Sequence, residues 1–270
     1  MLYFMKTSRF LVVLFITLVL SGCRALVPVK TYVTLVQYNV GVFDKYEESG
    51  FEAIASAVRE MGADAVSLNE VDSCALRTGS VDQISVFAEE LGDWNKYYAS
   101  AMPFNGGAYG VGIVSSPKLK VVRTDKVSLP KLNGREPRAL AVVEYEDFVF
   151  ASTHLDLTVE SQIGQVVAIN HYVDSVYAGN GKPVFLAGDF NCRPDGETIQ
   201  LIKRNWNQLT PDAFSFPSHA PNRCIDYIFV RPRGSKVIVR SAETPAVLQT
   251  ADLATASDHL PVVLSVIIEK

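Results

Sequence analysis

The sequence predicts an α/β domain of many short strands with covering helices. Segments rich in β-branched and aromatic residues recur along the chain, and apolar stripes at helical spacing run between them. At 270 residues, 48% of them apolar, the chain has the material for a substantial core. No Pro-, Gly- and Ser-rich stretch and no fixed-period repeat divides it, so one domain is expected.

"TYVTLVQYNV" alternates Tyr32, Thr34, Val36 and Tyr38 with Val33, Leu35 and Gln37, which predicts a strand ending at Asn39. Phe51, Ile54, Ala55, Val58 and Met61 form one face of a helix closed by Gly62. "DAVSLNEV" reads as a short buried strand with Glu70 near its end. A second helix is expected over Val81 to Leu91, followed by short strands near Tyr97, Val111, Val121, Val142 and Phe150. "AMPFNGGAYG" reads as a Gly-rich hairpin turn, with an apolar loop near a site entrance as the alternative. In "ESQIGQVVAINHYVDSVY", Ile163, Val166, Val167, Asn170, Val173 and Tyr177 make a helical stripe. "KPVFLAGDFN" is a buried strand with a polar end, and Asp195 is placed to N-cap the helix "GETIQLIK". Strands near Ile225, Val237 and Val262 complete the order.

Lys6 and Arg9 precede the run "FLVVLFITLVL", long enough for the apolar core of a signal peptide and too short for a comfortable membrane span. "LSGC", Leu20 to Cys23, resembles the bacterial lipobox, in which small residues precede a cysteine that is diacylated as the signal is removed. Residues 1–22 are then a lipoprotein signal peptide, 23–30 a lipidated tether and 31–270 the folded domain, held to a membrane in an extracytoplasmic compartment. An ordinary signal peptide or an N-terminal anchor helix is the alternative. The remaining thiols, Cys74, Cys192 and Cys224, are odd in number, so at most one disulfide within the chain is available. A Cys192–Cys224 bridge is conceivable, but scattered cysteines of this kind are more often small buried hydrophobes.

Charge bears on partners. With 25 basic against 29 acidic residues the chain carries −4, and losing Lys6 and Arg9 with the signal moves it to about −6. No Lys/Arg cluster offers an electrostatic footprint for nucleic acid.

Nearly every buried-looking strand delivers a polar residue at one end: Asn39, Glu70, His154, Asp189 with Asn191, Asp226, and Asp258 with His259. Singly, each has a bland reading as a turn, a cap or a hydrogen-bonded core residue. Together they resist it, because "CIDYIFV" sets Asp226 in an apolar run where an ionised carboxylate needs a partner. His259 or His154 is the natural one, since a carboxylate on one ring nitrogen frees the other to move a proton. In extended chain Asp189 and Asn191 share a face. Glu70 and Asp258 are hard oxygen donors, and oxygen ligands without a Cys/His cluster suit Mg²⁺ or Mn²⁺ rather than Zn²⁺.

The ordered set "QYNV", "LNEVD", "EPRAL", "STHLD", "AGDFN", "IDYIFV" and "SDHLPV" resembles the endonuclease/exonuclease/phosphatase superfamily. That group includes deoxyribonuclease I, abasic-site endonucleases, inositol polyphosphate 5-phosphatases and neutral sphingomyelinases. The resemblance runs from about Thr31 to the C-terminus and implies a four-layer α/β/β/α sandwich of two mixed sheets, with the site where strand ends converge. It further implies Glu70 as the main metal ligand with Asn39 and Asp258 beside it. Asp189 and Asn191 hold the attacking water and a phosphoryl oxygen, Asp226 orients His259, His154 is the second histidine and Arg138 faces the phosphate. No core motif is missing, which speaks for an active, Mg²⁺- or Mn²⁺-dependent phosphoric ester hydrolase. Whether Asp189 or His259 is the general base stays open.

A phosphodiester substrate is expected. The acidic balance weighs against a nuclease, while a lipid-anchored enzyme suits a lipid headgroup of the sphingomyelinase kind. "GDFNCRPDG" and "APNRCIDYIFV" depart from the inositol phosphatase branch, which lowers the phosphomonoesterase case. A non-catalytic surface binding lipoprotein is the alternative of another class, although a binder has no reason to keep Glu70, Asp189 and His259 together. A monomer is expected.

Overall fold

The expected alternation of strands and covering helices is present in the computed structural model, which describes residues 29–46 and 49–270. Residues 1–22, expected to be a signal peptide, and Cys23 lie outside the described residues. In chain order the elements are β1 (Lys30–Asn39), α1 (Phe51–Glu60), β2 (Ala65–Ser73), α2 (Gln83–Glu90), β3 (Asn95–Phe104) and β4 (Gly107–Ser115). There follow β5 (Val121–Leu129), β6 (Arg138–Tyr145), β7 (Val149–His154), α3 (Val159–Tyr177), β8 (Val184–Asp189) and α4 (Glu197–Lys203). The chain ends with β9 (Asn207–Gln208), β10 (Asp226–Arg231), β11 (Lys236–Glu243), α5 (Leu253–Ala256) and β12 (Val262–Glu269).

Two six-stranded sheets form, ordered β11-β12-β1-β2-β4-β3 and β5-β6-β7-β8-β10-β9. Both are mixed, with β1–β2 and β7–β8 parallel and the other pairs antiparallel. Alternate side chains explain the layers. Val33 and Leu35 of β1 face Phe150, Phe185 and Ile228 of the opposite sheet, while Val36 and Tyr38 turn outward to Ile54 and Val58 of α1 and Phe87 of α2. On the other flank Val166, Ile169 and Val173 of α3 and Ile199 of α4 cover Leu186, Tyr227 and Phe229. The result is the four-layer α/β/β/α sandwich. Truncating a fully buried ring such as Phe229 to Ala would cost about 3–5 kcal/mol.

Cys192 and Cys224 are buried free thiols, as the hydrophobe reading expects, and Tyr227 Oη donates to the Cys192 carbonyl at 2.9 Å and to the Cys224 carbonyl at 2.8 Å. Two local expectations need correction. Asp195 does not cap α4: Gly196 is the N-cap residue, and no side chain bonds the first turn. Cys74 is exposed rather than a buried hydrophobe, since it follows β2 in a left-handed conformation (φ 56°). The hairpin reading of "AMPFNGGAYG" holds. β3 and β4 are joined by Asn105 (φ 45°) and Gly106 (φ 81°), the two positive-φ residues that a type I′ turn requires.

Candidate active site

Strand direction is what gathers the polar residues. β1, β2, β7 and β8 run one way and bring Asn39, Glu70, His154 and Asp189 at or near their C-terminal ends to one edge. β6, β10 and β12 are antiparallel to β7, β8 and β1 respectively, so they begin at that edge with Arg138, Asp226 and, just before β12, Asp258 and His259. Register fixes the rest: Asp189 is paired with His154 on one side and with Asp226 on the other. Gly188 is required here, because a Cβ at that position would run into the Thr153 carbonyl on β7. Glu70 sits at a bulge between Leu68 and Val71 with φ 56°, which turns its side chain out of the strand.

These residues surround a pocket of about 430 Å³, lined among others by Glu70, Arg138, His154, Asp189, Asn191, Asp258 and His259. His259 Nδ1 lies 2.8 Å from Asp226 Oδ2, so the Asp226 partner foreseen from the sequence is His259 and not His154. Asp226 is further held by Ser215 Oγ at 2.5 Å and Gln37 Nε2 at 3.2 Å. The other face of the ring, Nε2, is 3.6 Å from Asp189 Oδ2, and His154 Nε2 is also 3.6 Å from that same oxygen. Burial opposes a charge on His259, but the charge and hydrogen bond of Asp226, helped by Asp189 and Asp258, outweigh it and raise its pKa. Burial, then the neighbouring charge of Asp226, raises Asp189 from the ordinary carboxylate range, although His259 opposes this. His154 is driven well below its ordinary value by burial first and then by Arg138 and His259.

Asn191 reaches the pocket by a different route from the one expected. It lies beyond β8 in a left-handed conformation (φ 49°), its own N–H bonded to Asp189 Oδ1 at 2.8 Å. Its Nδ2 donates to the Leu155 carbonyl and to His154 Nε2, both at 3.0 Å, which makes Nε2 an acceptor and places the His154 proton on Nδ1. Buried His154 Nδ1 and Arg138 Nε have no hydrogen-bond partner among the described residues. Asn39 accepts from Gly41 N–H through Oδ1 at 3.1 Å and turns Nδ2 toward Glu70 Oε1 and Asp189 Oδ2, at 3.1 and 3.2 Å.

Among the described residues one group of three ligand-type side chains lies close together: Asp189, Asp226 and His259 offer atoms within 4.8 Å of one another, but Asp226 and His259 are already bonded to each other, which suits the set to sharing a proton. Glu70 and Asp258 line the same pocket as hard oxygen donors and suit a hard cation better. Asp258 Oδ2 is bonded to Lys45 at 2.8 Å, whereas its buried Oδ1 has no hydrogen-bond partner among the described residues.

Sequence reasoning missed the supports. Gln37 donates to Asn69 Oδ1 at 2.7 Å, and that oxygen also accepts the Asp189 N–H at 2.7 Å, so two buried amides fix the Asp189 backbone. Part of the signal was present: Gln37 follows the apolar Val33 and Leu35 on the inward face of β1, whereas Asn69 follows Ala65 and Ser67 on that of β2. Buried Asp156 accepts from the N–H groups of Arg135, Glu136 and Thr158 at 3.1, 3.4 and 2.8 Å and so fixes the loop leading into Arg138. Glu136, Tyr109, Phe216 and Arg223 also line the pocket.

The chain matches the Endonuclease/Exonuclease/phosphatase family over residues 36–259. Among solved structures it is similar to an endonuclease/exonuclease/phosphatase from Bacteroides vulgatus (TM-score 0.72, 18% identity, 87% of this chain and 98% of that one). A mannosyl-6-phosphatase from Bacteroides thetaiotaomicron is comparable (TM-score 0.70, 17% identity, 87% and 99%). So is the catalytic domain of human Nocturnin with a bound sulfate (TM-score 0.67, 19% identity, 90% and 97%). No curated protein matches it in sequence. At these identities the structures speak for the fold, and the match over residues 36–259 speaks for descent: the chain belongs to the endonuclease/exonuclease/phosphatase family.

Proposed function

We propose that this chain is a divalent-cation-dependent hydrolase that cleaves a phosphodiester bond. The observation that carries the reading is the convergence on one pocket of an anion-facing group (Arg138, His154, Asn191), a proton-holding group (Asp189, His259, Asp226) and an acidic group (Glu70, Asp258). The acidic group fits a hard cation, because Asp258 keeps a buried oxygen without a partner among the described residues and the donors are oxygens. Glu70 and Asp258 would hold Mg²⁺ or Mn²⁺ with Asn39 beside them. Bound there, the ion supplies charge neutralisation to the phosphoryl oxygens and acidifies a water.

The chain's own residues do the rest. Arg138, buried, with its Nη2 3.3 Å from Glu136 and its Nε without a hydrogen-bond partner among the described residues, faces the phosphate charge. Asp189, raised toward neutrality, is suited to take the proton of the attacking water, while His259, kept cationic by Asp226, balances the developing charge. Asn191 gives both amide hydrogens to Leu155 and His154, so donating to a phosphoryl oxygen means exchanging the His154 bond.

That related structures include a mannosyl-6-phosphatase and a sulfate-bound Nocturnin domain supports phosphoester chemistry on this scaffold. Anchoring through Cys23 in an extracytoplasmic compartment, and a monomeric state, belong to the same proposal. One observation bears on a lipid headgroup substrate. β1 runs ten residues, about 30 Å at ~3.3 Å per residue, from Lys30 to Asn39, so a tether at residue 30 enters the domain at the end opposite the pocket. A soluble phosphodiester is favoured accordingly. Hydrolysis of bis-p-nitrophenyl phosphate, plasmid DNA and sphingomyelin, each with Mg²⁺ and with EDTA, tests the reading. Cleavage of the first that EDTA and Glu70→Gln both abolish is expected. Cleavage that persists in EDTA, or none of any substrate, refutes it.

A further inference from the structure

We propose that a hollow next to the catalytic pocket is a subsite for an uncharged, hydroxylated ring on the alcohol side of the scissile ester. This deepens the phosphoester reading and rests on it. The hollow measures about 160 Å³ and shares Glu70, Tyr109 and Glu136 with the catalytic pocket, so the two adjoin and one substrate can reach into both.

Its walls combine two chemistries. Met102 and Phe104, from the end of β3, and Tyr109, from β4, give an apolar and aromatic side, which the tight Asn105–Gly106 turn holds rigid. Arg77 closes it, with its guanidinium 4.4 Å from the Phe104 centroid and 5.5 Å from that of Tyr109. Two hydrogen bonds to Asp72, at 2.7 and 2.9 Å, lock that orientation, and Asp72 is itself fully buried. An apolar wall with a fixed planar donor and a carboxylate acceptor at its rim matches a sugar or cyclitol ring: C–H groups lie against the Met102, Phe104 and Tyr109 side chains, hydroxyls donate to Glu136 and accept from Arg77.

Charge and size exclude the neighbouring classes. Both basic side chains of the hollow are already matched, Arg77 by Asp72 and Lys45 by Asp258 at 2.8 Å, so a second phosphate on the ring, away from the cation that Glu70 would hold, would meet Glu136 with no unmatched basic side chain. The volume equals about five waters at ~30 Å³ each, enough for one small ring and not for a nucleobase beyond a ribose.

Calorimetric titration of the full chain carrying His259→Ala, which suppresses turnover, tests this in Mg²⁺ with four probes: inorganic phosphate, glycerol 3-phosphate, glucose 6-phosphate and myo-inositol hexakisphosphate. Glucose 6-phosphate is expected to bind about tenfold more tightly than phosphate or glycerol 3-phosphate, and the hexakisphosphate no more tightly than phosphate. Phe104→Ala and the more exposed Glu136→Gln, each added to that background, are each expected to narrow the gap to about threefold or less. Equal affinity for glucose 6-phosphate and phosphate, a preference for the hexakisphosphate, or a gap that survives Glu136→Gln overturns the subsite. The two readings fail separately: hydrolysis of bis-p-nitrophenyl phosphate by the unmodified chain without a ring preference sinks only the subsite, and a ring preference without hydrolysis sinks only the catalytic proposal.

Discussion

His154 and His259 occupy the same pocket, are buried alike, and hold their Nε2 atoms at the same 3.6 Å from the same oxygen of Asp189. Their proton affinities nevertheless move in opposite directions. Neither burial nor distance to Asp189 distinguishes them. The difference lies on the far ring nitrogen. His259 Nδ1 meets Asp226 at 2.8 Å, while His154 Nδ1 meets no partner among the described residues and the ring sits near Arg138. The proposed division of roles therefore rests on what lies behind the ring: an acid there favours a held cation, its absence beside a guanidinium favours a neutral hydrogen-bonding group.

The largest test of this contrast is to remove the acid. Asp226→Asn is expected to lower kcat on bis-p-nitrophenyl phosphate by about 10²–10⁴-fold, with His259→Gln in the same range, because both abolish the held proton. The Asp226 variant should also lower the His259 pKa, as read from the imidazole resonances by NMR titration. A kcat within threefold of the unmodified chain, or an unmoved resonance, breaks the comparison.

His154→Gln sharpens it from the other side. Gln keeps a neutral donor and acceptor that can still bond Asn191, so the expected loss in kcat/KM is about tenfold, the worth of roughly one neutral hydrogen bond. A loss as large as that of His259→Gln would mean that His154 also works as a charged group.

The same contrast shows what a linear sequence discloses. Asp226 stood out because a carboxylate inside an apolar run demands a partner, and the strand ends were legible because period-two alternation tells where each strand stops. Local pattern left the partner open between His259 and His154, since that choice depends on how β10 lies against the segment before β12; only the family resemblance pointed to His259. Asp189 and Asn191 were expected on one face of extended chain. They do meet in the pocket, but through the left-handed turn at Asn191, a conformation that propensity does not announce. Glu136, Tyr109 and Arg223 were unreadable, because loop and hairpin positions are set by tertiary bonds such as those from Asp156 to the 135–136 backbone. Asn39 was legible as a polar strand end, while Arg138 as a site residue came with the family resemblance, not from any local pattern.

The smallest effect is on stability, and it separates the two histidines by sign. In the metal-free chain His154 stays neutral in the folded state, while in the unfolded state it takes a proton below about pH 6.5. The unfolded state then binds more protons, so folding loses about 1.4 kcal/mol per pH unit on the acid side of 6.5 on account of this one group. His259 is the reverse. Its folded pKa, raised to about 9, gives a contribution fully present below the unfolded value and lost as pH rises toward 9. Urea unfolding of the unmodified chain, His154→Gln and His259→Gln in EDTA from pH 5 to 9 reads both, since the many carboxylates cancel in the differences. Relative to His154→Gln the unmodified chain should weaken between pH 6.5 and 5; relative to His259→Gln it should weaken between 6.5 and 9. Parallel curves for both variants would place the two rings in equivalent electrostatic surroundings, and the division of labour drawn from Asp226 would fall with them.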